Sequence, residues 1–131
     1  MKRQRTIINE IDKSRLTPYL QSAWDGSPTA RLRETLELAE SVPPNDVPPD
    51  VVTMNSQLAI RYPEDDEVQV CTLSYPYEEN DSGISVLSPL GSALLAAREG
   101  ERVDFMGARH WRAVIVEAIE YQPERVGRFD L

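Results

Sequence analysis

A second cysteine is missing. With Cys71 alone, the chain can form neither an internal disulfide nor a cysteine-based zinc site. His110 is the one histidine, so a histidine-rich metal centre or a His-dependent triad lacks its parts. Long apolar runs are missing too: none approaches the ~18 residues that span a bilayer. The basic start Met1-Lys2-Arg3-Gln4-Arg5 is followed by Asn9, Glu10 and Asp12 rather than the apolar core of a signal peptide. A cytoplasmic protein of a reducing compartment, with no membrane partner, is expected. Positive charge is scarce, with 14 Lys+Arg against 22 Asp+Glu and a net charge of −8. The deficit falls on residues 61–131, which hold 7 basic and 14 acidic groups. A protein that works by neutralising phosphates should show a basic face. DNA contact is therefore expected to be indirect at most.

What is present is 131 residues with 40% hydrophobic content, enough to bury a core in one domain or in a domain with a small appendage. Prolines divide the chain. Four of the ten lie in Pro43-Pro44-Asn45-Asp46-Val47-Pro48-Pro49, which reads as a stiff linker over 43–50 between unlike halves. Before it the pattern is helical. Asp12 suits a cap, and Leu16, Tyr19, Leu20 and Ala23 recur at helical spacing. Pro18 either kinks this helix or starts it, with Thr17 as cap. Trp24-Asp25-Gly26 reads as a turn, and Ser27-Pro28 opens a second helix over Thr29 to Ser41 with Leu32, Leu36 and Ala39 on one stripe. Residues 1–42 thus read as a short antiparallel helical hairpin with arms of roughly 20 Å.

After the linker the period changes to two. Gln57–Tyr62 and Glu67–Ser74 flank the turn Pro63-Glu64-Asp65-Asp66, and Gly83–Leu87 is a further strand. Ser88-Pro89 opens a helix that runs to about Arg98, before Gly100. Arg102–Met106 and Arg109–Tyr121 form a hairpin across Gly107. In its second strand Val114, Val116 and Ala118 should face one way, with Ile115, Glu117 and Ile119 facing the other. Residues 51–131 read as a small antiparallel sheet packed on one apolar helix, and the class is α+β.

The stretch Ile84-Ser85-Val86-Leu87-Ser88-Pro89-Leu90-Gly91-Ser92-Ala93-Leu94-Leu95, followed by Glu99-Gly100-Glu101 and Val103, resembles the C-terminal domain of the bacterial transcript cleavage factors GreA and GreB. Val51-Val52-Thr53-Met54-Asn55-Ser56, the ending Glu120-Tyr121-Gln122-Pro123-Glu124 and the opening Ile7-Ile8-Asn9-Glu10-Ile11-Asp12 are similar to the regulator of nucleoside diphosphate kinase (Rnk) family, relatives of the Gre factors. The resemblance implies an FKBP-like fold for residues 51–131. It implies as partner RNA polymerase, bound at the coiled coil on the rim of the secondary channel, and it implies no cofactor. The loop Leu87-Ser88-Pro89 is the polymerase contact it points to. Leu87 stands where the family often has Asp or Asn, so that contact would be apolar.

Cleavage factors present acidic residues at the hairpin tip to help hold a metal, because a hard cation needs several oxygen ligands. Here Ala23-Trp24-Asp25-Gly26-Ser27 offers only Asp25, and the arms are short. The expectation is an accessory protein that competes with Gre factors at the secondary channel, is no enzyme and holds no metal. Trp24 is either a partner contact at the tip or packs back onto the helices. Glu64–Glu67 and Glu78–Asp81 read as solvated turns, Cys71 as a core thiol, and His110 as structural. The alternatives are cleavage stimulation through a metal at Asp25, control of nucleoside diphosphate kinase, and prolyl isomerisation. With two Phe and two Trp in the chain, the aromatic pocket of an active isomerase is not expected.

Overall fold

The computed structural model describes residues 6–20, 29–76 and 83–127, and among these residues backbone hydrogen bonding defines seven strands and three α-helices. The order begins with β1 (Ile7–Asn9), α1 (Glu10–Leu20), α2 (Thr29–Leu38) and β2 (Glu40–Val42). It continues with β3 (Gln57–Tyr62), β4 (Glu67–Ser74), β5 (Gly83–Ser85), α3 (Pro89–Leu94), β6 (Arg102–Met106) and β7 (Trp111–Tyr121). One five-stranded sheet has the order β5-β4-β3-β7-β6, antiparallel except for the parallel β4–β5 pair. The class is α+β.

The amino-terminal part holds a pairing that the helical pattern does not announce. β1 and β2 run parallel, Ile7 opposite Glu40 and Asn9 opposite Val42. Glu40 N–H donates to the Thr6 carbonyl at 2.8 Å, which ends α2 at Leu38, short of the expected Ser41. α1 begins behind Asn9, whose Oδ1 accepts from Ile11 N–H at 2.9 Å, so Asn9 and not Asp12 serves the first turn. The helix runs through Pro18, and the Thr17 hydroxyl donates to the Lys13 carbonyl. The turn expected at residues 24–26 and the Ser27-Pro28 start lie outside the described residues.

The proline segment carries a single 3₁₀ turn, Pro44–Asp46, and then buries Val47. The β3–β4 loop closes through Asp66 at φ 58 and an Asp65 Oδ1 that accepts from Glu67 N–H. α3 stops at Leu94 rather than near Arg98. Ala96 takes φ 69, and Ala96 and Ala97 exchange backbone hydrogen bonds with Val52 at 3.0 and 2.9 Å. Tertiary pairing replaces the last helical turn.

Strict alternation in β7 is also corrected. Val114, Val116 and Ile119 are buried together, while Ala118 is only half-buried. Ile60 faces Val116 but Ala59 faces Ala118, so Glu117 is an extra residue, and Glu120 is another between the partners of Leu58 and Gln57. Each bulge changes which face the following residues meet. The inner face of the sheet, α3, and Leu16, Leu20, Leu32 and Leu36 of the helices share one buried cluster.

Candidate functional site

The turn from β5 into α3 is held by its own hydroxyls. Ser88 Oγ accepts from Gly91 N–H at 3.0 Å, capping the helix, and donates to the Ser85 carbonyl at 2.6 Å. Ser85 Oγ accepts from Leu87 N–H at 3.2 Å, and Ser92 Oγ donates to the Ser88 carbonyl at 2.9 Å. Pro89 occupies the first helical position, where no N–H is needed. Gly91 permits the close approach: a Cβ there would stand 1.9 Å from the Ser85 carbonyl oxygen. Leu87 and Leu90 lie half-buried against the core with Pro89 exposed between them. The three sequence-predicted contact residues, together with Leu90, therefore form a hydrogen-bonded corner that offers a proline ring and two leucine edges, with no charged side chain among them.

A second constellation went unread in the sequence. Asp12, on the buried face of α1, accepts from Met54 N–H and from the Tyr75 hydroxyl, both at 3.1 Å. Asn9 Nδ2 donates to Glu124 Oε2 at 2.6 Å, and Thr53 Oγ1 donates to Glu124 Oε1 at 2.8 Å. Ser56 Oγ accepts from Thr53 N–H, and Gln122 Nε2 reaches the Pro48 and Val51 carbonyls. Four segments separate in sequence, 7–12, 51–56, the end of β4 with Tyr75, and 120–124, meet in this joint and tie the helical part to the sheet. Burial raises the Asp12 carboxyl to about 7, with Glu124 adding to the effect, against the two donors and Arg15. Burial also raises the Tyr75 phenol, which keeps it a donor. A polar aspartate in register with Leu16 and Leu20 was the available signal; its partners were not, because they lie 42 and 63 residues away.

The remaining candidates form no further site among the described residues. Trp24 and Asp25, the predicted hairpin tip, lie outside the described residues, as does Glu78–Asp81. Glu64–Glu67 is a turn whose Asp66 pairs with Arg61 and whose Glu64 lies 4.0 Å from Arg112. Among the described residues no cluster of three or more His, Cys, Asp or Glu is arranged to hold a metal. Cys71 is buried on the inner face, and its thiol is pushed up to about 11 by burial. His110 is exposed in the β6–β7 turn. A cleft of about 660 Å³ runs between α2 and residues 92–103. Arg31 crosses from α2 to the Asp104 carbonyl, while Glu99 and Glu101 on its wall accept from the Ile119 and Arg98 N–H groups. No described helix is long and apolar enough to cross a membrane.

The family model described as transcription elongation factor GreA/GreB, C-terminal, matches residues 47–121, which contain the sheet, α3 and the Ser88 corner. The chain belongs to the GreA/GreB family. Within it, the chain is similar over its length to the regulator of nucleoside diphosphate kinase of Escherichia coli strain K12, with 39% identity covering 98% of each chain, and equally to that of Shigella flexneri. Among solved structures, a prokaryotic transcription elongation factor GreA/GreB from Nitrosomonas europaea superposes with a TM-score of 0.73 at 31% identity, covering 91% of this chain and 100% of the other. The match to both sets of relatives supports a role of transcription-elongation-factor type.

Proposed function

We propose that this protein binds RNA polymerase at the rim of the secondary channel, competes there with Gre factors, and modulates elongation without stimulating transcript cleavage. The observation that carries the reading is the preformed corner Leu87-Ser88-Pro89 within residues 47–121, the stretch that the GreA/GreB family model matches. A contact surface whose backbone is already fixed loses little entropy on docking.

The absence of cleavage rests on reach and charge. The chain from Glu10 to Leu38 must go out and come back, so each arm has at most about 14 residues, roughly 21 Å of helix. The sequence between the two helices, residues 21–28, holds one carboxylate, Asp25, for a task that needs several oxygen ligands. The relatives' name favours a second reading, control of nucleoside diphosphate kinase, and a pull-down with that kinase tests it.

The test uses core RNA polymerase, backtracked complexes, this protein and a Gre factor as competitor, with binding and cleavage followed together. Binding with competition and no cleavage is the expected result. Cleavage above background that disappears in Asp25→Ala would overturn the reach argument. No binding at micromolar concentration would reduce the family likeness to a likeness of fold.

A further inference from the structure

The far end of the β6–β7 hairpin pairs the one described tryptophan with a methionine at the surface. Trp111 is 62% exposed and Met106, its direct cross-strand partner, is 46% exposed. Isolated exposed apolar residues are ordinary, but a tryptophan and a methionine side by side form a patch. Neither is required where it stands: the inner face of this hairpin is filled by Val103, Phe105 and Val114. Beside Trp111 lies a cleft of about 260 Å³ walled by Pro63, Arg102 and Arg112, large enough for one partner side chain.

Charge along this hairpin has the opposite sign to that of the chain, although Glu64 of the neighbouring turn lies 4.0 Å from Arg112. The chain carries −8, yet residues 102–112 hold three arginines against one aspartate. Arg112 stacks over the Tyr62 ring at 4.6 Å, which fixes its guanidinium at the edge of the cleft. Arg102 is 3.6 Å from Asp104, with both side chains about two-thirds exposed, a loose pair. Arg109 in the turn is exposed and has no ion-pair partner among the described residues. Tryptophan, methionine and arginine are the residues enriched at protein interfaces, and tryptophan and arginine dominate their binding energy.

We propose that Met106, Arg109 and Trp111 form a second protein-docking surface, separate from the Ser88 corner, that takes an acidic stretch of RNA polymerase carrying an apolar side chain for the cleft. The inference rests on the polymerase reading above. Nucleic acid is the disfavoured occupant: Arg102 and Arg112 already lie beside Asp104 and Glu64, which leaves Arg109 as the one arginine of the hairpin without an ion pair among the described residues, enough to meet a carboxylate but too few cations to track a phosphate backbone.

The experiment measures binding of the full chain to core RNA polymerase, as affinity and as association rate at two salt concentrations. The variants are Trp111→Ala, Arg109→Glu and, as a control, Leu38→Ala, which removes an apolar side chain 76% exposed on α2. Trp111→Ala should weaken binding at least about tenfold. Arg109→Glu should slow association several-fold at low salt, and the gap should narrow at high salt. Leu38→Ala should change neither quantity. Arg109 sits on an exposed turn, so its variant keeps the test valid even if Trp111→Ala were to fold poorly. Wild-type binding that both hairpin variants retain would overturn this inference and leave the polymerase reading standing. No wild-type binding would overturn both. Hairpin variants that lose affinity for a single-stranded RNA probe while keeping polymerase would overturn it in favour of nucleic acid.

Discussion

Asp12 shows how one side chain can couple protonation to the fold. Its carboxyl is raised from 3.8 to about 7, burial outweighing the donors Met54 N–H and Tyr75 O–H, with Glu124 acting in the same direction. A native value above the unfolded one means that the native state holds the extra proton. The stabilisation from this group is therefore full below about pH 4 and is lost as pH rises through about 7, opposite to an aspartate held by an ion pair. Asp12→Asn keeps an acceptor in the joint and removes the titration. Thermal unfolding of the wild type should show a decline between pH 4 and 7 that Asp12→Asn flattens, with the variant at least as stable as wild type at pH 8. The same decline in both proteins would mean that Asp12 is not the titrating group. Gly91 tolerates no side chain. A methyl group placed 1.9 Å from the Ser85 carbonyl must push β5 and α3 apart, so Gly91→Ala should cost about 3 kcal/mol by denaturant unfolding, the upper end of ordinary overpacking. It should also disorder the Ser88 corner.

Elements were legible where their determinants are local. β3, β4 and β6 follow from alternation bounded by turn formers, and the start of α3 follows from Ser88-Pro89, because each signal lies within a few residues of its effect. Element ends set by distant partners were not legible. α3 yields to Val52, α2 yields to β1, and β7 inserts Glu117 and Glu120 to follow the curl of the sheet. The Ser88 corner could be read for the same reason as the strands; the Asp12 joint could not, since Asn9, Met54, Tyr75 and Glu124 come from four segments. The apolar stripe of the helices was readable, and its consequence can be measured. Leu16 and Leu32 are fully buried, whereas Leu38 on α2 is 76% exposed. Leu16→Ala and Leu32→Ala should each destabilise by about 2–5 kcal/mol, and Leu38→Ala by less than about 0.5 kcal/mol. Equal small effects at all three positions would show that the helices do not share the core.

At the scale of the molecule, the proline-rich stretch and the buried contacts make different demands. A stiff linker over 43–50 would let a helical hairpin and a sheet domain unfold as separate units. The contacts do not divide there. Ile8, Leu16, Leu20, Leu32 and Leu36 join Val52, Met54, Leu58, Leu73 and Val116 in one buried cluster, and the Asn9–Glu124 and Asp12–Tyr75 hydrogen bonds cross the same boundary. Val47 is itself buried, and the Pro48 carbonyl accepts from Gln122. Removing the helices would expose the apolar side chains beneath them and break the Asp12 hydrogen bonds to the Met54 N–H and the Tyr75 hydroxyl, each worth about 0.5–1.5 kcal/mol net. One cooperative transition is therefore expected, with the calorimetric enthalpy equal to the van't Hoff enthalpy. Leu16→Ala in α1 and Val116→Ala in β7 should lower the midpoint of that same transition. Two transitions, with Leu16→Ala moving only the first, would show instead that the helical part melts on its own. In that case it would also be free to reorient when the sheet domain docks on a partner.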